Sequence, residues 1–341
     1  MRQTSERAAY LVLGMHRSGT SATAQLLALA GADLPDNVMP GDEHNAKGYF
    51  EPWKISVFND QRLRAAGSAW DDPFNLPYQP LAPEAEAEAD WKARAVELFR
   101  AEFGEALHPL LKDPRVSVLL PMWREVLEAA GVGARVVIPV RHPLAVAGSL
   151  ARRDRFPVEK SVLLWTLYML AAEAGSRDLP RAFVSYDNLL ADWRSEVSAM
   201  ERALGAPLPR LSERAAAEID GFLSPELRHN AGDGALADTP LVGPMAQEVL
   251  DWFTAAAAGQ APDRAPLERA AARIGQMRAE MGVLVTPVTS ALDSTRADLL
   301  YERQLAALRD QKIRALEDEI DALRRERAHI EAVVDTALAG R

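Results

Sequence analysis

The segment GMHRSGTS, residues 14–21, sets two glycines five positions apart, after an apolar run and around a cluster of hydroxyl residues. Gly14 and Gly19 have the spacing of the phosphate-cradling loop GxxxxGK[ST], whose backbone N–H groups and following helix N-terminus hold anions. Thr20 stands where that loop has its lysine, and Arg17 brings a guanidinium from inside the loop instead. In an ATP-using loop the lysine spans the β- and γ-phosphates while the hydroxyl binds Mg²⁺. Without that lysine, γ-phosphoryl transfer loses a principal charge stabiliser. The planar fork of Arg17 and the hydroxyls of Ser18, Thr20 and Ser21 still suit an anion. The plainer reading is a strand-to-helix turn with no ligand, and the combination of Gly14, Arg17, Ser18, Gly19 and Thr20 weighs against it.

A second group follows the run RVVIPV. Arg141 stands at its end, Ser149 lies eight residues on, and RHPLAVAGSLARRDR gathers Arg141, His142, Arg152, Arg153 and Arg155. Eight residues are about two helical turns, so Arg141 and Ser149 can address one ligand, a second phosphate. Arg152, Arg153 and Arg155 read instead as a solvated helix end favoured by the dipole. In LKDPR, Lys112 and Arg115 are further cations, with the alternative that Arg115 pairs with Asp113 or that the two cap the next helix. The stretch GDEHNAKGYFEPW offers a general base: Glu51 is the choice, with Glu43 and His44 behind it and His229, in FLSPELRHN, a third alternative.

GMHRSGTS together with VRHPLAVAGSLARR resembles the two cofactor signatures of sulfotransferases that use 3′-phosphoadenosine 5′-phosphosulfate (PAPS). The resemblance covers roughly residues 8–205, includes a later SYDNLL similar to the family's YEDL segment, and is nearest to bacterial, carbohydrate-type members through GMHRSGTS, GYFE, LKDPR and RHP. It implies that Arg17, Ser18, Gly19, Thr20 and Ser21 bind the 5′-phosphosulfate and that Arg141 and Ser149 bind the 3′-phosphate. It also implies a glutamate base in the GYFE context, hence Glu51, acting with Arg17 and Lys112. Met15-His16 stands where the family more often has a proline before the basic residue. A donor of this kind needs no metal bridging β- and γ-phosphates, so no metal is expected. The acceptor implied is a hydroxyl of a glycan or glycoconjugate, and Trp53, Trp70 and Tyr78 are aromatic faces suited to sugar rings or adenine, each with a packing role as its alternative.

The elements that must position these residues read as strands alternating with helices, which predicts an α/β, P-loop-like three-layer fold on a mainly parallel sheet. Strands are expected at Ala8–Leu13, Leu110–Lys112, Arg135–Val140 and Ala182–Tyr186. Helices are expected at Thr20–Ala30, Glu84–Glu105, Val116–Ala130, Pro143–Arg153, Val158–Gly175 and Leu189–Leu204, with Asp33–Pro83 irregular. Pro139 lacks the N–H of a central strand, and the opening EAEAEAD of the second helix reads as solvated. The core domain is placed at residues 1–285, with a helical part at 206–285, and a tail at 286–341. In the tail Ala306, Ile313, Ile320 and Val334 share one heptad position and Leu316, Leu323 and Ile330 its partner, broken by Arg327 and Arg309. That is a coiled coil of about four heptads, so self-association is expected; the alternative is one charged helix folding back.

Composition sets the outer bounds. An apolar fraction of 48% is ample for a core. No cysteine is present, which excludes disulfides, thiolate metal sites and cysteine nucleophiles. A net charge of −10 argues against nucleic acid as a partner, while one basic segment on an acidic chain implies a pocket for a small anion. No window is long and apolar enough to span a membrane, Val162–Ala172 reads as a buried helix, and a cytoplasmic location is expected. Two other functions stand beside the transferase: a non-catalytic nucleotide-binding scaffold of a glycan-assembly system, and a P-loop kinase. The kinase lacks both the loop lysine and a strand ending in aspartate.

Overall fold

The computed structural model describes residues 7–42, 45, 47–75, 85–223 and 234–339. Its centre is a sheet of four parallel strands: β1 (Ala8–Val12), β2 (Leu110–Lys112), β3 (Gly133–Val140) and β4 (Arg181–Ser185), ordered β2-β1-β3-β4. The strands read as apolar runs rather than alternations because both sheet faces are covered. Ala9, Leu11, Val136 and Ile138 enter one core; Tyr10, Val12, Val137, Ala182 and Val184 enter the other.

Helices cover both faces. On the first lie α2 (Trp53–Ala65), α3 (Ala85–Phe103), α4 (Val116–Ala129), α5 (Pro143–Asp154), α6 (Val158–Gly175), α10 (Gly243–Ala257) and the start of α11 (Ala265–Ala339). On the second lie α1 (Thr20–Leu29), α7 (Tyr186–Ala191), α8 (Trp193–Leu204) and α9 (Glu213–Phe222). This is the three-layer α/β architecture expected. Helix α6 supplies the buried Trp165 and Tyr168. Among the described residues, no helix is long and apolar enough to cross a membrane.

Four local expectations are corrected. The stretch 33–83 contains a 13-residue helix, α2. The single helix expected at Leu189–Leu204 is two, α7 and α8, because Asp192 leaves helical geometry and its carboxylate caps α8 by accepting from Ser195 N. In EAEAEAD, Glu88 is buried and pairs at 2.7 Å with the buried Arg62 of α2. The boundary placed between residues 285 and 286 falls inside one helix, α11, which runs from Ala265 through Pro287 to Ala339. Compact packing divides the chain into Met1–Thr289 and Ser290–Arg341. Pro139 belongs to the rank of β3 that faces β1: Leu13 N donates to Val137 O at 3.0 Å, so the missing N–H falls just past the end of β1.

Candidate functional site

In an open parallel sheet, ligands gather at the carboxyl ends of strands where the order reverses. Here that place is the end of β1 beside β3, from which residues 14–19 and Arg141 emerge. Gly14 has φ 133°, and Ser117, at the start of α4, holds it on both sides: Oγ accepts from Gly14 N at 2.8 Å and donates to Gly14 O at 3.3 Å. Arg17 takes a left-handed φ of 68°, and Ser18 N closes the turn on Met15 O at 3.2 Å. Gly19, φ 91°, opens α1 with no side-chain cap. A Cβ there would stand 2.3 Å from the Tyr186 ring, so only glycine lets tyrosine and loop meet. The uncapped start of α1 leaves backbone donors facing outward. Ser18 is fully buried, and its Oγ has no hydrogen-bond partner among the described residues.

The structure brings Arg17, Arg141 and Ser149 together. Arg17 Nε donates to Ser149 Oγ at 2.8 Å, and Arg141 Nη1 donates to Arg17 O at 2.9 Å. The Arg141 guanidinium lies 4.6 Å from the Tyr186 ring centroid. Burial lowers the pKa of both arginines; Arg153 and Arg141 add repulsion at Arg17, and Arg152 does so at Arg141. An arriving anion relieves both costs.

Lys112 is the last residue of β2, in register with Val12, and its buried ammonium closes the other side. Nζ donates to Glu51 Oε1 at 2.5 Å, to Tyr49 O at 2.9 Å and to Ser21 Oγ at 3.3 Å. Burial lowers its pKa, opposed first by Glu51. The other Glu51 oxygen accepts from Ser56 Oγ at 3.5 Å and lies 3.8 Å from Arg115 Nη1. Arg115 is engaged structurally, by Asp60 at 2.6 and 3.1 Å and by Asp113 at 2.8 Å. Burial alone would lower its pKa, yet Asp60, Asp113 and Glu51 together carry it well above the usual range. The pairing of Arg115 with Asp113 is the structural alternative read from LKDPR.

Two residues not singled out from the sequence complete the wall. His16, buried, packs on Trp70 with ring centroids 4.6 Å apart, and its Nε2 has no hydrogen-bond partner among the described residues. Burial, reinforced by Arg115, Arg153, Lys112 and Arg17, holds its pKa well below the ordinary histidine range. Arg153, read as part of a solvated helix end, is half-buried over Trp70 at 5.4 Å, whereas Arg152 and Arg155 are exposed. The signal for Arg153 was its place four residues after Ser149, on the same helical face. Nothing in the sequence placed Trp70 against His16. Trp53 lies elsewhere, in a shallow groove with Lys54, Val57 and Arg94 between α2 and α3. Glu43, His44, Tyr78 and His229 lie outside the described residues.

No family model matches the chain, and no curated protein matches it. Among solved structures, similarity is found to the sulfotransferase domain of the Synechococcus PCC 7002 olefin synthase, at 17% identity and a TM-score of 0.41, covering 74% of this chain and 97% of that one. A second is the sulfotransferase domain from the curacin biosynthetic pathway, at 16% identity and a TM-score of 0.37, covering 78% and 97% respectively.

Proposed function

We propose that the chain is a sulfotransferase that moves a sulfuryl group from PAPS to a hydroxyl of a glycan or glycoconjugate. The observation that carries this reading is the run of contacts from Ser149 through Arg17 to Arg141, which joins motifs 132 residues apart at one anion-cradling loop. The residues fit such a donor. Ser18 offers a buried hydroxyl with no partner among the described residues, and α1 opens on an uncapped glycine.

Gly14, Arg17, Ser18, Gly19, Thr20 and Ser21 would hold the 5′-phosphosulfate, and Arg141 and Ser149 the 3′-phosphate. PAPS supplies the activated sulfuryl group. Arg17 and Lys112 set fixed positive charge beside the oxygens on which negative charge grows during transfer. Glu51 takes the proton of the acceptor hydroxyl, its carboxylate oriented by the 2.5 Å contact with Lys112. Trp70, with His16, Phe156 and Arg153 against its ring, fits the packing role better than an open face for a sugar ring.

One observation favours a second reading. Both oxygens of Glu51 already have partners, Lys112 on one and Ser56 on the other. A scaffold that binds the nucleotide without turning anything over would keep that arrangement. Thermal stabilisation by adenosine 3′,5′-bisphosphate, against ADP and against ATP with Mg²⁺, is the first test. A ligand at 100 times its Kd stabilises the fold by about 2.7 kcal/mol, and Arg141→Ala should abolish the preference for the 3′-phosphate. Stronger stabilisation by ATP with Mg²⁺ would return the kinase reading and sink this one. Glu51→Gln separates the remaining two: the transferase loses turnover and keeps bisphosphate binding, whereas the scaffold has no turnover to lose.

A further inference from the structure

Within the second unit, Ser290–Arg341, helix α11 carries an apolar seam that is exposed among the described residues. Ile313, Leu316, Ile320 and Leu323 are 52%, 48%, 48% and 57% exposed. They recur at alternating three- and four-residue steps, which is the a/d seam of a coiled coil. Arg309 and Arg327, at the next d and a positions on either side, bound this block.

We infer that this seam is covered by the same seam of a second copy of the chain, as a parallel, in-register, two-stranded coiled coil. The residue types set the strand number. Ile at both a positions and Leu at both d positions is the arrangement that favours parallel dimers over higher oligomers. The flanking charges set direction and register. In a parallel pair each g residue faces the e residue of the following heptad, so Lys312 meets Glu317 of the second copy and Glu319 meets Arg324 of the second copy. The symmetry repeats both attractions. Sliding one helix a heptad in one direction sets Lys312 against Arg324; sliding it the other way sets Glu319 against Glu317. An antiparallel pair that overlaps the same four apolar residues brings Glu319 and Glu317 each near its own copy. Only the in-register parallel pair is attractive at every one of these positions. The side chains involved are exposed, and among the described residues Arg324 has an exposed contact to Asp321 at 3.2 Å to exchange.

The same charges argue against a lipid surface as the cover. From Arg309 to Arg327, both included, there are six basic and six acidic residues, so the segment has no excess of positive charge for anionic headgroups.

The chain has no cysteine, which makes the test clean. In the full-length protein, Leu316→Cys and Leu323→Cys are made separately and oxidised mildly. Each variant should link to itself, and light scattering on the unmodified chain should give twice the 37.3 kDa monomer mass. A disulfide that forms only when the two variants are mixed would mean parallel helices slipped by one heptad, and a dimer in which neither variant links would mean antiparallel helices, which set Leu316 opposite Ile320; either would overturn the inference. A monomer or a trimer would overturn it too. The register is read from charge exchange: Glu319→Arg alone and Arg324→Glu alone should each weaken the dimer about tenfold, and the double variant should restore it. Dimerisation indifferent to both single changes would refute the register.

Discussion

His16 brings a titratable ring into a place where protonation is expensive. Its folded pKa is held well below 6.5 by burial and by four nearby cations, while the unfolded chain titrates at the ordinary value. As pH falls below about 6.5 the unfolded state takes up a proton that the folded state refuses, so stability is lost, at up to about 1.4 kcal/mol per pH unit from this group. Above that pH the term vanishes. His16→Phe keeps a ring against Trp70 and removes the proton site. Urea titrations between pH 7 and 5 should therefore show a flatter loss for the variant, and parallel curves would refute the assignment. That Arg17, Arg141 and Ser149 come together was legible in the sequence, because each motif follows a predicted strand of a parallel sheet and so emerges at its carboxyl edge. His16, Ser117, Tyr186 and Arg153 were not, since their parts depend on approaches that span long stretches of chain. Ser117 reaches Gly14 across 103 residues, a relation no local pattern encodes.

Helix α2 shows why one element escaped sequence reading. Its buried face is Ile55, Ser56, Phe58, Asn59, Arg62 and Leu63, half of it polar, so an apolar stripe at helical spacing never forms. The polar members are each used: Asn59 donates to Asp113 at 2.8 Å and accepts from Trp123 Nε1 at 2.9 Å, and Arg62 pairs with Glu88 of α3. The strands and the other helices of the sheet core were legible because two-sided burial leaves plain apolar runs. Removing one partner of a buried ion pair takes away part of what offsets the other's desolvation, so Glu88→Ala should cost about 3 kcal/mol in urea unfolding. Arg62→Met with Glu88→Leu should recover most of it. Equal losses in both variants would mean that packing, not charge, holds α2 on α3. Because α2 also carries Ser56 and Asp60, which touch Glu51 and Arg115, Glu88→Ala should shift the Glu51–Arg115 cluster before it affects the loop at residues 14–19.

At the scale of the whole chain, Met1–Thr289 holds both hydrophobic clusters, including Leu267, Ile274 and Met277 from the start of α11. Ending the chain after Thr289 should leave the melting temperature within about 2 °C, since no member of either hydrophobic cluster is removed, and should keep any response to the bisphosphate. A larger drop would show that the first unit needs the second. The tail's heptads were legible from spacing alone, but the continuity of α11 through Pro287 was not, because polar residues near 290 imitate a linker. The strand order has a kinetic consequence. β1 is made well before its partners, which begin at Leu110 and Gly133. At roughly 5–20 residues per second of synthesis, an apolar strand with two open edges waits about 5–25 s for a neighbour. During that interval the segment that leads into residues 14–19 presents an apolar strand with unpaired edges, a surface of the kind that holding chaperones bind.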